Sequence, residues 1–160
     1  MTAAAVAGSA VLVMTSLAVG HTAVASRNAR IRQTHSLAEL VRFIRSNISF
    51  FLTPLDGLFA AFDDEYLGKT GFCEILRRDG LDAALKSGSL DLSPETEKIM
   101  DRFVSKLGKG LRDEEISLCD YTAERLSEEE RRLCDELERC RDMYRFVPPL
   151  GALFVIVCLL

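Results

Sequence analysis

The sequence predicts an all-α protein, a small antiparallel helical bundle between an N-terminal transmembrane helix and a short C-terminal apolar membrane segment. Three observations carry that expectation. Every Lys, Arg, Asp and Glu lies between Arg27 and Arg145, so the first 26 and the last 15 residues carry no charged side chain. A water-soluble chain gains nothing from such sorting, whereas one charge at the centre of a bilayer costs about 3 kcal/mol. Within the charged middle, apolar residues recur at steps of three and four, the helical period. Helix start and stop signals punctuate that middle at Thr53-Pro54, Ser93-Pro94 and Gly108. The expected division is a transmembrane helix over 1–26, a cytoplasmic helical domain over 27–145 and a hydrophobic membrane segment over 146–160.

The first apolar stretch, Thr2 to Ser26, is rich in Ala, Val and Leu. It is long enough for the roughly 20 residues that cross a ~30 Å hydrocarbon core. Ala4 and Gly8, and Ser16 and Gly20, stand four apart, a spacing that lets helices approach closely in lipid. The alternative is a secreted or membrane-tethered helical interaction protein with a cleaved signal peptide, since Ala23-Val24-Ala25 resembles a cleavage site. Against it, no basic residue precedes the stretch, which also exceeds the usual apolar core of about 7–15 residues.

The flanks set the orientation. Arg27, Arg30 and Arg32 follow the first apolar stretch, and Arg139, Arg141 and Arg145 precede the second. Basic residues stay on the cytoplasmic side, which places the middle inside and both ends outside or embedded. The second stretch, Phe146 to Leu160, would reach only about 22 Å as a helix. Local thinning or snorkelling of Arg145 accommodates so short a span, with Pro148 and Pro149 at its edge. The competing reading is an apolar helix docked on a partner.

In the middle, Leu37, Leu40, Val41, Ile44, Ile48, Phe51 and Leu52 mark one face of a helix over about 28–52, continuous with the first span. Thr53-Pro54 stops it and starts a second helix with Leu55, Leu58, Phe59 and Phe62 inward. Leu67 to Leu92 is Gly-rich and predicts short helices at Phe72–Arg78 and Leu81–Lys86. Ser93-Pro94-Glu95 is a helix start, with Ser as N-cap and Pro at the first position. Its expected core face is Ile99, Phe103, Val104 and Leu107, and Lys106 and Gly108 provide the stop. From Asp113, apolar residues fall at Ile116, Cys119, Ala123, Leu126, Leu133, Leu137, Cys140 and Tyr144, a heptad seam interrupted once, at Glu130. That seam closes either the domain's own core or a coiled coil with another copy, a homo-oligomer.

Little in the sequence points to chemistry. Five cysteines, an odd number and none in a Cys-x-x-Cys pair, give poor support to a disulfide framework or a zinc site and fit a reducing compartment. His35 and Glu39 have metal-ligand spacing, but an ordinary helix pair has it too. Asp63-Asp64-Glu65 cannot converge on one cation, and Glu128-Glu129-Glu130 reads as a charged face apart from Glu130. There is no phosphate-binding Gly-rich loop with Lys, and the acidic middle, without Trp or a basic-aromatic stripe, offers nothing to nucleic acid. The expectation is no enzyme activity, no cofactor and no metal.

Arg30-Ile31-Arg32-Gln33 after an apolar start, Thr53-Pro54-Leu55 after one long helix, and Met143-Tyr144-Arg145 followed by Leu150-Gly151-x-Leu153 and an apolar terminus resemble the stage III sporulation protein AB family of spore-forming bacteria. Phe146-Val147-Pro148-Pro149 stands where the family runs directly from Tyr-Arg to Leu-Gly. The resemblance implies a non-enzymatic protein of the mother-cell membrane, similar to the inner-membrane platform proteins of type II secretion and type IV pilus systems. It implies as partners the membrane, a secretion-type ATPase and other stage III sporulation membrane proteins. Helices that leave one membrane segment and return to another are antiparallel, so the tip far from the lipid lies near 51–58 and 108–116. Asp56, Arg112 and Glu114 are the interface residues expected there.

Overall fold

The computed structural model describes the backbone over 3–50 and 55–159, and the side chains over 25–49 and 57–141. Its order is α1 (Ala3–Phe50), α2 (Leu55–Ala61), α3 (Glu65–Lys69), α4 (Phe72–Lys86), α5 (Pro94–Lys106) and α6 (Arg112–Leu159), with no strand among the described residues. The chain divides into two compact units, Met1–Asn28 with Cys134–Leu160, and Ala29–Leu133.

In the first unit, Arg27 donates a hydrogen bond from Nη1 to Sγ of Cys140. Among the described residues no helix is long and apolar enough to cross a membrane. The apolar side chains of 1–24 and 142–160, on which both expected membrane segments fall, lie outside the described residues, as does the Arg145 side chain.

The second unit is the helical bundle. The inward face of α1 is Leu37, Ala38, Leu40, Val41 and Ile44, all fully buried, with Ile48 half-buried and Phe51 and Leu52 outside the described residues. Leu58, Phe59 and Phe62 bury the face of α2 and the chain after it, and the Phe62 ring meets Phe43 with centroids 5.4 Å apart. The Gly-rich stretch holds more helix than the sequence predicts. Gly80, at φ 86° and ψ 179°, breaks α4 into the two expected halves, and α3 forms ahead of it because Asp64 caps it, accepting from the Leu67 N–H at 2.7 Å.

Helix α5 starts as expected. Ser93 Oγ accepts from the Thr96 N–H at 3.1 Å, Pro94 stands at the first turn, and Gly108 at φ 80° follows the stop. Its face is turned from the expected one. Thr96, Met100 and Phe103 are buried, whereas Ile99, Val104 and Leu107 are only partly so. The expected stripe counted apolar side chains only, and a buried threonine with its own hydrogen bonds is invisible to such a count.

Helix α6 shows the same shift. The buried stripe is Glu115, Cys119, Thr122, Leu126 and Glu129, a regular heptad at steps of four and three, with Ala123 beside it. Of the seam expected from the sequence, Cys119, Ala123 and Leu126 are buried, Ile116, Glu130, Leu133, Leu137 and Cys140 are half-buried, and the Tyr144 side chain lies outside the described residues. The seam is therefore not broken at Glu130. It passes through Glu129, which the sequence reading had left on a solvated face.

Candidate functional site

A buried polar node ties three helices of the bundle. Glu129, with 4% of its side chain exposed, accepts from Ser93 Oγ at 2.7 Å. Arg132 closes on it as a fork, Nε to Oε2 and Nη2 to Oε1, both at 2.7 Å. Ser93 meets Thr96 Oγ1 at 3.0 Å, and Thr96 meets Thr34 Oγ1 on α1 at 3.2 Å. Burial by itself would raise the Glu129 carboxyl; the hydrogen bonds from Arg132 and Ser93 and the nearby guanidinium charges outweigh it and hold the group below the usual carboxylate range. The node's hydroxyls and carboxylate are buried and bonded to one another, which ties α1, α5 and α6 together.

Two of the thiols, Cys73 and Cys119, are buried. Burial pushes the Cys73 thiol up and pushes Cys119 up to about 12, with the carboxylates of Glu115 and Asp120 adding to the latter. A nucleophilic cysteine needs the opposite shift. His35 turns to Glu130 at 3.1 Å, while Glu39 meets Arg42. Asp63, Asp64 and Glu65 diverge to Arg77, to the α3 cap and to Lys69. Among the described residues no group of three or more His, Cys, Asp or Glu could hold a metal ion.

Three of the expected membrane-proximal cations, Arg27, Arg30 and Arg32, touch other residues of the chain. Arg30 pairs with Asp91 at 2.9 Å, and the Arg32 guanidinium lies 5.9 Å from the centre of the Tyr66 ring. Arg27 meets Cys140, and Arg141 is exposed.

What remains for partners is surface. At the α5–α6 turn, Leu111 is 76% exposed. It is the helix N-cap, and Glu114, three residues on, reaches back to its N–H at 3.0 Å. Glu115 takes the Gly110 N–H at 2.8 Å, and Arg112 donates to the Ser49 carbonyl at the end of α1. Of the interface residues expected here, Arg112 and Glu114 are thus both exposed but also hold the turn in shape, and the Asp56 side chain lies outside the described residues. Leu111, the apolar residue just ahead of these two charges, is not among the interface residues expected from the sequence. Its signal is an apolar residue directly after Gly108-Lys109-Gly110, ahead of the α6 face.

A second surface is the groove between α5 and α6, floored by Ile99, Leu118 and Tyr121, with Tyr121 52% exposed. The model of the stage III sporulation protein AB family matches residues 57–160. No curated protein and no solved structure matches the chain.

Proposed function

We propose a role that starts from one fact, that the chain belongs to the stage III sporulation protein AB family. The protein is a non-enzymatic membrane assembly protein of the channel between mother cell and forespore. It links a secretion-type ATPase to the membrane complex. The bundle lies in the mother-cell cytoplasm, and the apolar segments that flank it in sequence hold it at the membrane.

The observation that carries this reading is Leu111. A large apolar side chain left 76% exposed on a turn, followed by exposed Arg112 and Glu114, has the composition of an interface anchor with a polar rim. The turn is built firmly, by two glutamates that take backbone N–H groups and by the Arg112 tie to α1. A rigid presenting surface costs less to order on binding.

The test is a titration of the detergent-solubilised full chain with the ATPase. Leu111→Asp is expected to weaken binding on the order of tenfold or more, as loss of an anchor does. Arg30→Glu and Arg145→Glu are expected to disturb membrane insertion and leave ATPase binding intact. Failure of the wild-type chain to bind would remove the platform role, and equal binding by Leu111→Asp would move the surface elsewhere.

A further inference from the structure

We infer that the α5–α6 groove is a docking site for an acidic amphipathic helix of another protein, a second binding surface independent of the Leu111 turn. One wall is a cationic rail. Lys98, Arg102 and Lys106 follow one another at four-residue steps on one edge of α5, and all three are exposed. Arg125 stands on the α6 wall, paired with Glu128 at 2.7 Å. Glu95 is the acid among these lining residues, 3.8 Å from both Lys98 and Arg125. The groove's net excess of positive charge therefore rests on Arg102 and Lys106, on a chain whose formal net charge is −4.

Several basic side chains elsewhere on the bundle are matched to acids, as in Arg30–Asp91, Arg45–Asp120 and Lys86–Asp82. Arg102 and Lys106 make no ion pair among the described residues. Between the walls lies an apolar floor, with Ile99 and Leu118 half-buried and Tyr121 half-exposed. An exposed aromatic over partly covered aliphatic residues is how a helix-binding groove presents its anchor contacts.

The rail also selects the occupant. Lys98 to Lys106 spans about 12 Å of helix. A helix carrying Asp or Glu at i, i+4 and i+8 repeats that spacing and turns its apolar face to Tyr121. A second copy whose groove lay on the two-fold axis of a symmetric dimer would instead set rail against rail, cation facing cation.

Two labelled 14-residue amphipathic peptides test this on the full chain in neutral detergent. One carries Glu at i, i+4 and i+8 beside a Leu face, and the other carries Lys at those positions. The Glu peptide is expected to bind at least tenfold more tightly at about 50 mM salt, with the difference shrinking at high salt. Arg102→Glu with Lys106→Glu is expected to reverse the preference, and Tyr121→Ser to weaken both peptides. These positions are exposed, so the variants keep the fold, which unchanged helical content checks. Equal binding of the two peptides, or an unchanged preference in the double variant, would overturn the inference. So would self-crosslinking by Tyr121→Cys beyond that of the wild type, because the groove would then face a second copy.

Discussion

Phe103→Ala is expected to destabilise the bundle by about 3–5 kcal/mol, the cost of removing a large aromatic from a packed core. Phe103 is fully buried on α5, with Met100 and Thr96 beside it on the same face. Helix α5 is short, and an isolated helix of its length is marginal in water. Packing by this face holds it in place. Thermal unfolding of the full chain in detergent, followed by the helical circular dichroism signal, is expected to show a midpoint lowered by more than ~10 °C. Leu111→Ala, which removes an exposed side chain, is expected to stay within about 0.5 kcal/mol of wild type. A Phe103→Ala loss below ~1 kcal/mol would mean that α5 is not packed as described.

Glu129→Ala is the second large effect, about 2 kcal/mol. The substitution leaves buried Ser93 and half-exposed Arg132 without their shared acceptor. Solvent screens the Arg132 side of the pair, so the loss falls below that of a fully buried ion pair. The pH dependence has a definite sign. The folded carboxyl titrates below its unfolded value of about 4.3. Its contribution is therefore fully present at neutral pH and is lost as pH falls below ~4.3 through the folded value. The stability gap between wild type and Glu129→Gln is expected to narrow over that window. A gap that widens on acidification would contradict the ion-paired lock.

The helices were legible in the sequence wherever apolar spacing or a cap declared them. The α1 face, the Ser93-Pro94 start and the break between Phe72–Arg78 and Leu81–Lys86 are all found in place, the last because Gly80 takes a conformation that other residues avoid. The α5 and α6 faces were read a fraction of a turn away. Thr96, Thr122 and Glu129 sit on the buried stripes, and each is satisfied by a hydrogen bond that spacing cannot foretell: Thr122 bonds the Leu118 carbonyl at 2.7 Å, and Glu129 takes Ser93 and Arg132. Helix α3 was missed because its cap, Asp64, stood inside an acidic run that read as a solvated face. The candidate surfaces were half legible. The turn at 108–116 followed from antiparallel helices, but Leu111 stood out only once its exposure was known. Of Lys98, Arg102 and Lys106, only Lys106 stood out in the sequence, as part of a helix stop, because the groove beside them depends on which face of α5 is buried.

Crosslinking from position 111 tests the central claim most directly. The full chain, with p-benzoylphenylalanine in place of Leu111, is expressed in sporulating cells and irradiated. Adducts are resolved by mass, with a probe at exposed Glu97 on α5 as the comparison. A docking turn predicts an adduct with the secretion-type ATPase from position 111 and none from position 97. Adducts with the ATPase from neither position, or equally from both, would contradict the account.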